Sequence, residues 1–237
     1  ILFPKDKTVQ KQIVQKLDDI LGQLEVKKKE ILSLIEQNKQ RIDFFEKNWM
    51  SYVIDREIEK HPQRNEWVET SLGETFDDSN QKWLPYTKNE IVNYIGLENI
   101  ESNTGNLVNF TPTESSKIKS SKTIFTKNEV LYGKLRPYLN KVHLPEFDGM
   151  CSTDILSLTP KSNIDRQFLA YFLRCTYVLS ITNKSMQGTK MPRTKIQVLQ
   201  EFLIQLPDLP IQKQIIQNIK SAEEKFQTQK KQFENIK

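Results

Sequence analysis

The chain has 237 residues, 37% of them hydrophobic and 27% charged, with a net charge of +5 and a pI near 9.0. Its 12 Phe and 7 Tyr supply too much burial for a disordered polymer, and its 2 Cys are too few for a disulfide framework. No run approaches the ~18 apolar residues of a membrane span and Ile1-Leu2-Phe3-Pro4 is too short for a signal peptide, so a folded, non-membrane protein of a reducing cytoplasm is expected.

The opening residues, 1–8, read as the tail of a preceding domain, which marks the chain as a fragment or a trimmed form. The first predicted element is a helix from about Val9 to about Trp49. Ile13, Leu17, Ile20, Leu24, Ile31 and Leu34 follow spacings of four and three, the pattern of a coiled-coil seam, and the stripe changes phase after Ile35 towards Ile42, Phe45 and Trp49. Its first nine repeat residues, Val9 to Leu17, return as Ile211 to Ile219 at an offset of 202, with five of nine identical. The register continues through Ala222, Phe226, Phe233 and Ile236, with Lys27 and Gln229 as the matching polar seam position. A proline precedes each copy, Pro4 and Pro207. Alone, either stripe would suit a surface helix packed on its own domain. Two stripes in one phase instead predict helices packed on one another through Ile13, Leu17, Leu24, Ile215, Ile219 and Phe226, within one chain or between two.

Between them, from about 65 to 206, Gly and Pro punctuate short apolar runs, as an α+β domain requires. Predicted strands are Ile91 to Ile95, Thr123 to Phe125, Val130 to Tyr132, Leu139 to His143, Asp154 to Leu158 and Glu201 to Gln205. Predicted helices are Arg166 to Ser180 and Thr194 to Gln200. Cys151 and Cys175 both fall in apolar surroundings and read as core.

Charge in this domain is polarised. Residues 65–116 hold nine acids and two bases, whereas 117–141 hold seven bases and one acid, Glu129. A second basic cluster is Lys184, Lys190, Arg193 and Lys195. Each lysine alone reads as a solvated surface residue, but two clusters beside Gly-containing loops suit the phosphates of a nucleic acid. Arg136 is placed either to read a base edge or to form an ion pair inside the domain. The stretch 187–190, with Gly188 permitting close approach, suits contact with a groove or backbone.

Catalysis has little to rest on. Asp208, Glu223 and Lys225 fit a loose nuclease pattern, but Glu223 and Lys225 flank seam positions of a helix instead of converging on a metal. No metal-ligand spacing, Gly-rich cofactor loop or methyltransferase tetrapeptide occurs, so no cofactor is expected. His61 and His143 are isolated.

The string Val130-Leu131-Tyr132-Gly133-Lys134-Leu135-Arg136-Pro137-Tyr138-Leu139-Asn140-Lys141-Val142 resembles a hallmark of the target-recognition domains of Type I restriction-modification specificity subunits. Trp67 with Leu72-Gly73-Glu74, Tyr94 to Ile100, Cys151 to Leu156, Gly188 to Arg193, and Leu206-Pro207 with Gln212-Lys213-Gln214-Ile215 resemble its other motifs in order. The resemblance implies a mixed α/β recognition domain at 65–207 between two conserved spacer helices, 9–60 and 208–237, forming an antiparallel coiled coil. It further implies a non-catalytic reader of double-stranded DNA, partnered by methyltransferase (modification) subunits and indirectly by a restriction subunit, with a self-dimer through the helices as one arrangement. The expected DNA-binding residues are Lys134, Arg136, Lys141, Gln187, Thr189, Lys190, Arg193 and Lys195. Two rivals remain at this point: the C-terminal specificity region of a fused Type II restriction enzyme, and a coiled-coil adaptor that binds no DNA.

Overall fold

Residues 4–79, 81–85, 89–184 and 192–234 are described by a computed structural model of the chain. They divide into two units, 1–48 and 49–237. Helix α1 (Lys7–Ile58) supplies the first unit and continues into the second. At its start the Asp6 carboxylate accepts from the Thr8 amide at 2.7 Å, satisfying one of the donors that a helix N-terminus leaves open. Gln10 then donates its side-chain amide to the Pro4 carbonyl at 2.6 Å. Within this unit Ile13, Leu17 and Leu24 are 46, 53 and 57% exposed. The predicted stripe therefore lies open to solvent.

α1 runs past the expected stop at Trp49 because Met50, Val53, Ile54 and Ile58 keep the helical spacing and are buried. Pro62, which restricts the residue before it, follows the end of the helix. The second unit then builds β1 (Val68–Ser71), β2 (Phe76–Asp78), β3 (Lys82–Trp83), β4 (Ile91–Val92), β5 (Tyr94–Ile95) and β6 (Thr113–Glu114). Next come β7 (Lys122–Phe125), β8 (Val130–Gly133), β9 (Val142–His143), β10 (Gly149–Cys151) and β11 (Ile155–Pro160). The chain closes with α2 (Arg166–Arg174), α3 (Thr176–Lys184), α4 (Ile196–Gln200), β12 (Leu203–Leu206) and α5 (Leu209–Glu234).

One sheet, ordered β2-β11-β8-β9, is antiparallel throughout; a second, β3-β7-β10-β5, has β5 parallel to β10. The central strands of the first sheet separate two cores. Val130, Tyr132, Leu156 and Leu158 join Phe168, Leu169, Phe172 and the last turns of α1, while Leu131 and Ile155 join Ile95, Ile100, Phe125 and Cys151. Alternate side chains thus enter opposite cores, which is why β8 reads as a continuous apolar run and β11 does so apart from Ser157, whose hydroxyl donates to Glu129. Cys151 and Cys175 are buried as expected.

Several predicted elements need correction. Ile91 to Ile95 is two strands because the segment changes partner at Asn93: Ile91 and Val92 pair with β6, whereas the Asn93 carbonyl accepts from the Met150 amide in the parallel pairing of β5 with β10. Only Val142–His143 of the expected strand from Leu139 is extended; Asn140 has φ 50°, a left-handed conformation that Asn tolerates and that no strand can contain. Arg166 to Ser180 is broken at Cys175, whose ψ is 152°. α3 can restart there because the end of α1 and the turn after it cap it: Asp55 accepts from the amide and hydroxyl of Thr176, and Glu59 from the Tyr177 amide at 2.9 Å. Glu201 caps α4, and the strand expected to begin there starts at Leu203.

α5 and the end of α1 run antiparallel within the second unit. Trp49 stacks on Phe226 with ring centroids 4.2 Å apart, while Asn218 donates to Glu57 at 2.8 Å. Ile215 and Ile219 are fully buried in the same core. Gln212, the counterpart of Gln10, is also fully buried: it donates to the carbonyls of Pro207 (2.8 Å) and Asn163 (3.0 Å) and accepts from the Asp165 amide (2.7 Å). The repeat therefore preserves a glutamine clamp onto the proline before each helix.

Candidate nucleic-acid interface

The two basic segments of the sequence meet through their backbones. β8 ends at Gly133, and the next three residues lie beside 192–194: the Arg136 amide donates to the Pro192 carbonyl at 2.8 Å, Leu135 bridges Arg193, and the Thr194 amide donates to the Lys134 carbonyl at 2.9 Å. The Lys134 amide is held by the Asp154 carbonyl at 2.9 Å, and Arg193 pairs with the Asp154 carboxylate at 2.8 Å. Asp154 thus ties both segments to the turn before β11.

The expected DNA-binding residues separate on inspection. Lys134 is half-buried, Arg136 and Lys195 are exposed, and none of the three has an ion-pair partner among the described residues. Arg193 is exposed but shares its charge with Asp154. Lys141 is turned inward, donating to the Leu97 carbonyl at 2.6 Å, and burial holds its pKa below the usual lysine value against the opposing pull of Glu98. Gln187, Thr189 and Lys190 lie outside the described residues. Lys134, Arg193 and Lys195 line a cleft of about 410 Å3 together with Lys82, Thr123 and Asp78. Sequence reasoning did not single out Lys82, because it lies in the acidic segment and reaches the cleft only through the pairing of β3 with β7, where it donates to the Thr123 hydroxyl at 3.1 Å.

The one acid of the basic stretch does not reach the surface. Glu129 is buried, and its carboxylate accepts from Ser157 (2.7 Å), the Thr126 amide (2.8 Å) and Thr159 (3.1 Å). At the other end of β8, the turn Arg136 to Asn140 is fixed at both ends by left-handed residues, Arg136 with φ 51° and Asn140 with φ 50°. Asn140 donates to the Arg174 carbonyl at 3.3 Å, and the buried Arg174 guanidinium donates to the Val142 carbonyl at 2.6 Å. Burial lowers the Arg174 pKa to about 10. Gly105, at φ 72°, lies so close that a Cβ there would sit 1.8 Å from the Val142 carbonyl oxygen. Its own carbonyl faces His143 Nδ1 at 2.8 Å.

The nuclease-like residues have other work. Asp208 caps α5 through the Ile211 amide at 3.1 Å. Glu223 is about 22 Å further along at the helical rise, half-buried, and its pKa is raised by burial against the pull of Arg174. His143 and both cysteines are buried, and burial pushes the Cys151 thiol up to about 12, far from nucleophilic range. Among the described residues no group of His, Cys, Asp or Glu is arranged to hold a metal ion, and no helix is long and apolar enough to cross a membrane.

The family model for the Type I restriction modification DNA specificity domain matches residues 64–237. The Type I restriction enzyme EcoDI specificity subunit of Escherichia coli is 24% identical over 257 residues, covering 98% of this chain and 56% of its own length. The HsdS subunit from Thermoanaerobacter tengcongensis superposes with a TM-score of 0.58 at 23% identity, covering 68% of this chain and 43% of that one. The Type I restriction-modification S subunit of M. genitalium gives a TM-score of 0.50 at 16% identity, covering 98% and 59%. At such identities the solved structures show a shared fold, and the chain spans about half the length of the relatives it matches. The family match takes in the recognition domain and α5 together, and the chain belongs to the Type I restriction modification DNA specificity domain family.

Proposed function

We propose that this chain recognises a specific sequence in double-stranded DNA, as all or part of a specificity subunit, and carries no catalysis of its own. The observation that carries the reading is the backbone ladder joining 134–136 to 192–194, which brings parts of the two basic segments together, with Lys134 and Lys195 lining one cleft and Arg136 exposed. Phosphate neutralisation by such residues supplies affinity, and groove contacts supply specificity. Glu129, the one acid of the 117–141 stretch, is turned inward, and the Asp154 carboxylate is paired with Arg193. Arg193 and Lys141 serve this face mainly as internal fasteners, and the segment 187–190 adjoins it in sequence.

The modification subunits, and through them the restriction subunit, are the partners that the family membership supports. The open stripe of α1, with Ile13, Leu17 and Leu24, is the surface for a helix supplied by such a partner or by a second copy. A DNA-free adaptor would use the stripe and leave the basic face without a purpose. Selection of bound duplexes from a randomised pool separates the two: a specificity protein enriches one motif, and an adaptor enriches none at any salt concentration.

A further inference from the structure

Lys82 differs in origin from Lys134, Arg193 and Lys195, the other cations lining the cleft, because it belongs to neither basic segment. It stands on β3 at the edge of the second sheet, opposite Thr123 of β7, and donates to the Thr123 hydroxyl at 3.1 Å. Alternation along β7 decides which side of the sheet each side chain takes. Thr123 is buried and lines the cleft. Its neighbour Lys122 turns to the other side, where its ammonium lies 5.4 Å from the centre of the Tyr94 ring and donates to the Ser120 hydroxyl at 2.6 Å. A lysine of the acidic segment therefore reaches the cleft, and a lysine of the basic stretch is turned away from it. Among the described residues Lys82, Lys134 and Lys195 have no ion-pair partner, while Arg193 shares its charge with Asp154. Asp77 is paired with Lys161 at 3.4 Å, which leaves the half-buried Asp78 as the one carboxylate lining the cleft among the described residues.

We infer that this cleft seats the phosphate backbone of one DNA strand, and that Lys82 is a phosphate contact supplied by the second sheet beside Lys134 and Lys195. The inference rests on the DNA-recognition reading above. The chemistry of the lining decides what enters. Ammonium, guanidinium and hydroxyl groups are donors, as the acceptor oxygens of a phosphodiester require. Thr123 accepts from Lys82 and keeps its own hydroxyl hydrogen to give. An unstacked base would need an aromatic surface to lie on, and no aromatic residue lines the cleft among the described residues. A volume of about 410 Å3 admits a sugar-phosphate segment and not a base pair. Asp78 opposes an anion in this position, so it tempers affinity for any phosphate bound there.

The test is duplex affinity across a salt series, on the selected motif and on a scrambled duplex, for the wild-type chain, Lys82→Ala, Lys82→Arg, Lys122→Ala and Asp78→Asn, with thermal midpoints measured alongside. Lys82→Ala should weaken both duplexes by a similar factor and lower the salt slope by about one unit, with the midpoint unchanged. Lys82→Arg should keep the slope. Lys122→Ala removes the same charge from the adjoining strand and should change neither affinity nor slope. Asp78→Asn should tighten both duplexes. An unchanged slope in Lys82→Ala, equal losses in Lys82→Ala and Lys122→Ala, or weaker binding in Asp78→Asn would each overturn the inference and leave the DNA reading standing. Inorganic phosphate at matched ionic strength should not shift the wild-type midpoint; a rise that Lys82→Ala abolishes would assign the cleft to a free anion and overturn the inference too. If the wild-type chain itself shows no salt-dependent duplex binding, the DNA reading fails, and the inference with it.

Discussion

Gln212 shows how much a single side chain contributes to the placement of a whole helix. Fully buried at the start of α5, it satisfies two carbonyls and one amide from two chain segments, Asn163 with Asp165 before α2 and Pro207 before α5. Gln212→Leu keeps the volume and leaves those groups unpaired, so it should destabilise the second unit by roughly 3 kcal/mol or more in denaturant unfolding. Lys134 contributes at the cleft instead of in the core. Lys134→Ala should lower the salt slope of duplex binding by about one unit, uniformly across sequences, in the same titration that leaves Lys141→Ala nearly silent. His143 gives a pH signature. Burial holds its folded pKa below the ordinary 6.5, with Arg174 and Arg166 adding to the effect and the Gly105 carbonyl and Glu146 opposing it. Above pH 6.5 the ring is neutral in folded and unfolded chains alike; as pH falls below that value the unfolded chain takes up a proton that the folded one refuses, and stability drops. His143→Gln should flatten this part of the profile relative to wild type between pH 7.5 and 5.

Elements differ in how plainly the sequence announces them. The long stripes of α1 and α5, the buried runs of β8 and β11, and the helix containing Phe168 to Leu173 are legible because many residues repeat one period. β1, β3 and β6 are not, since strands of two to four polar-rich residues have no period to detect and exist only through their partners. The break at Cys175 depends on carboxylates more than a hundred residues away, Asp55 and Glu59. The interface was legible in its charge but not in its sorting: nothing in the sequence distinguishes Lys141, which fastens Leu97, from Lys134, which faces the cleft, or brings Lys82 to their side. The repeat likewise predicts two matching stripes without saying that one is already covered. Ile219→Asp, at a fully buried seam position, should unfold or strongly destabilise the second unit, with a cost of roughly 3 kcal/mol or more. Leu24→Asp, on the open stripe, should leave unfolding of the isolated chain within about 0.5 kcal/mol and abolish association with a modification subunit or a second copy. Equal effects of the two substitutions on folding, with association intact in Leu24→Asp, would contradict the assignment of the α1 stripe to an external partner.

At the scale of the whole molecule, the proposed function makes charge the guide to which surface would meet DNA. The acidic segment keeps several of its carboxylates on internal duties, Glu101 with Thr104 and Asn106 and Glu98 beside Lys141, and the remainder oppose a polyanion. The basic segments instead bring Lys134, Arg193 and Lys195, with Lys82, to a cleft whose walls come from both sheets and α4. Duplex affinity measured over a salt series for Lys134→Glu/Lys195→Glu, set against Glu98→Gln/Glu101→Gln, tests that orientation most directly. The account predicts that reversing the two lysines reduces affinity for every duplex by at least 10-fold at low salt and flattens the salt slope by about two units or more, while neutralising the two glutamates changes affinity little. Unchanged affinity in the lysine variant, together with a clear change in the glutamate variant, would contradict it.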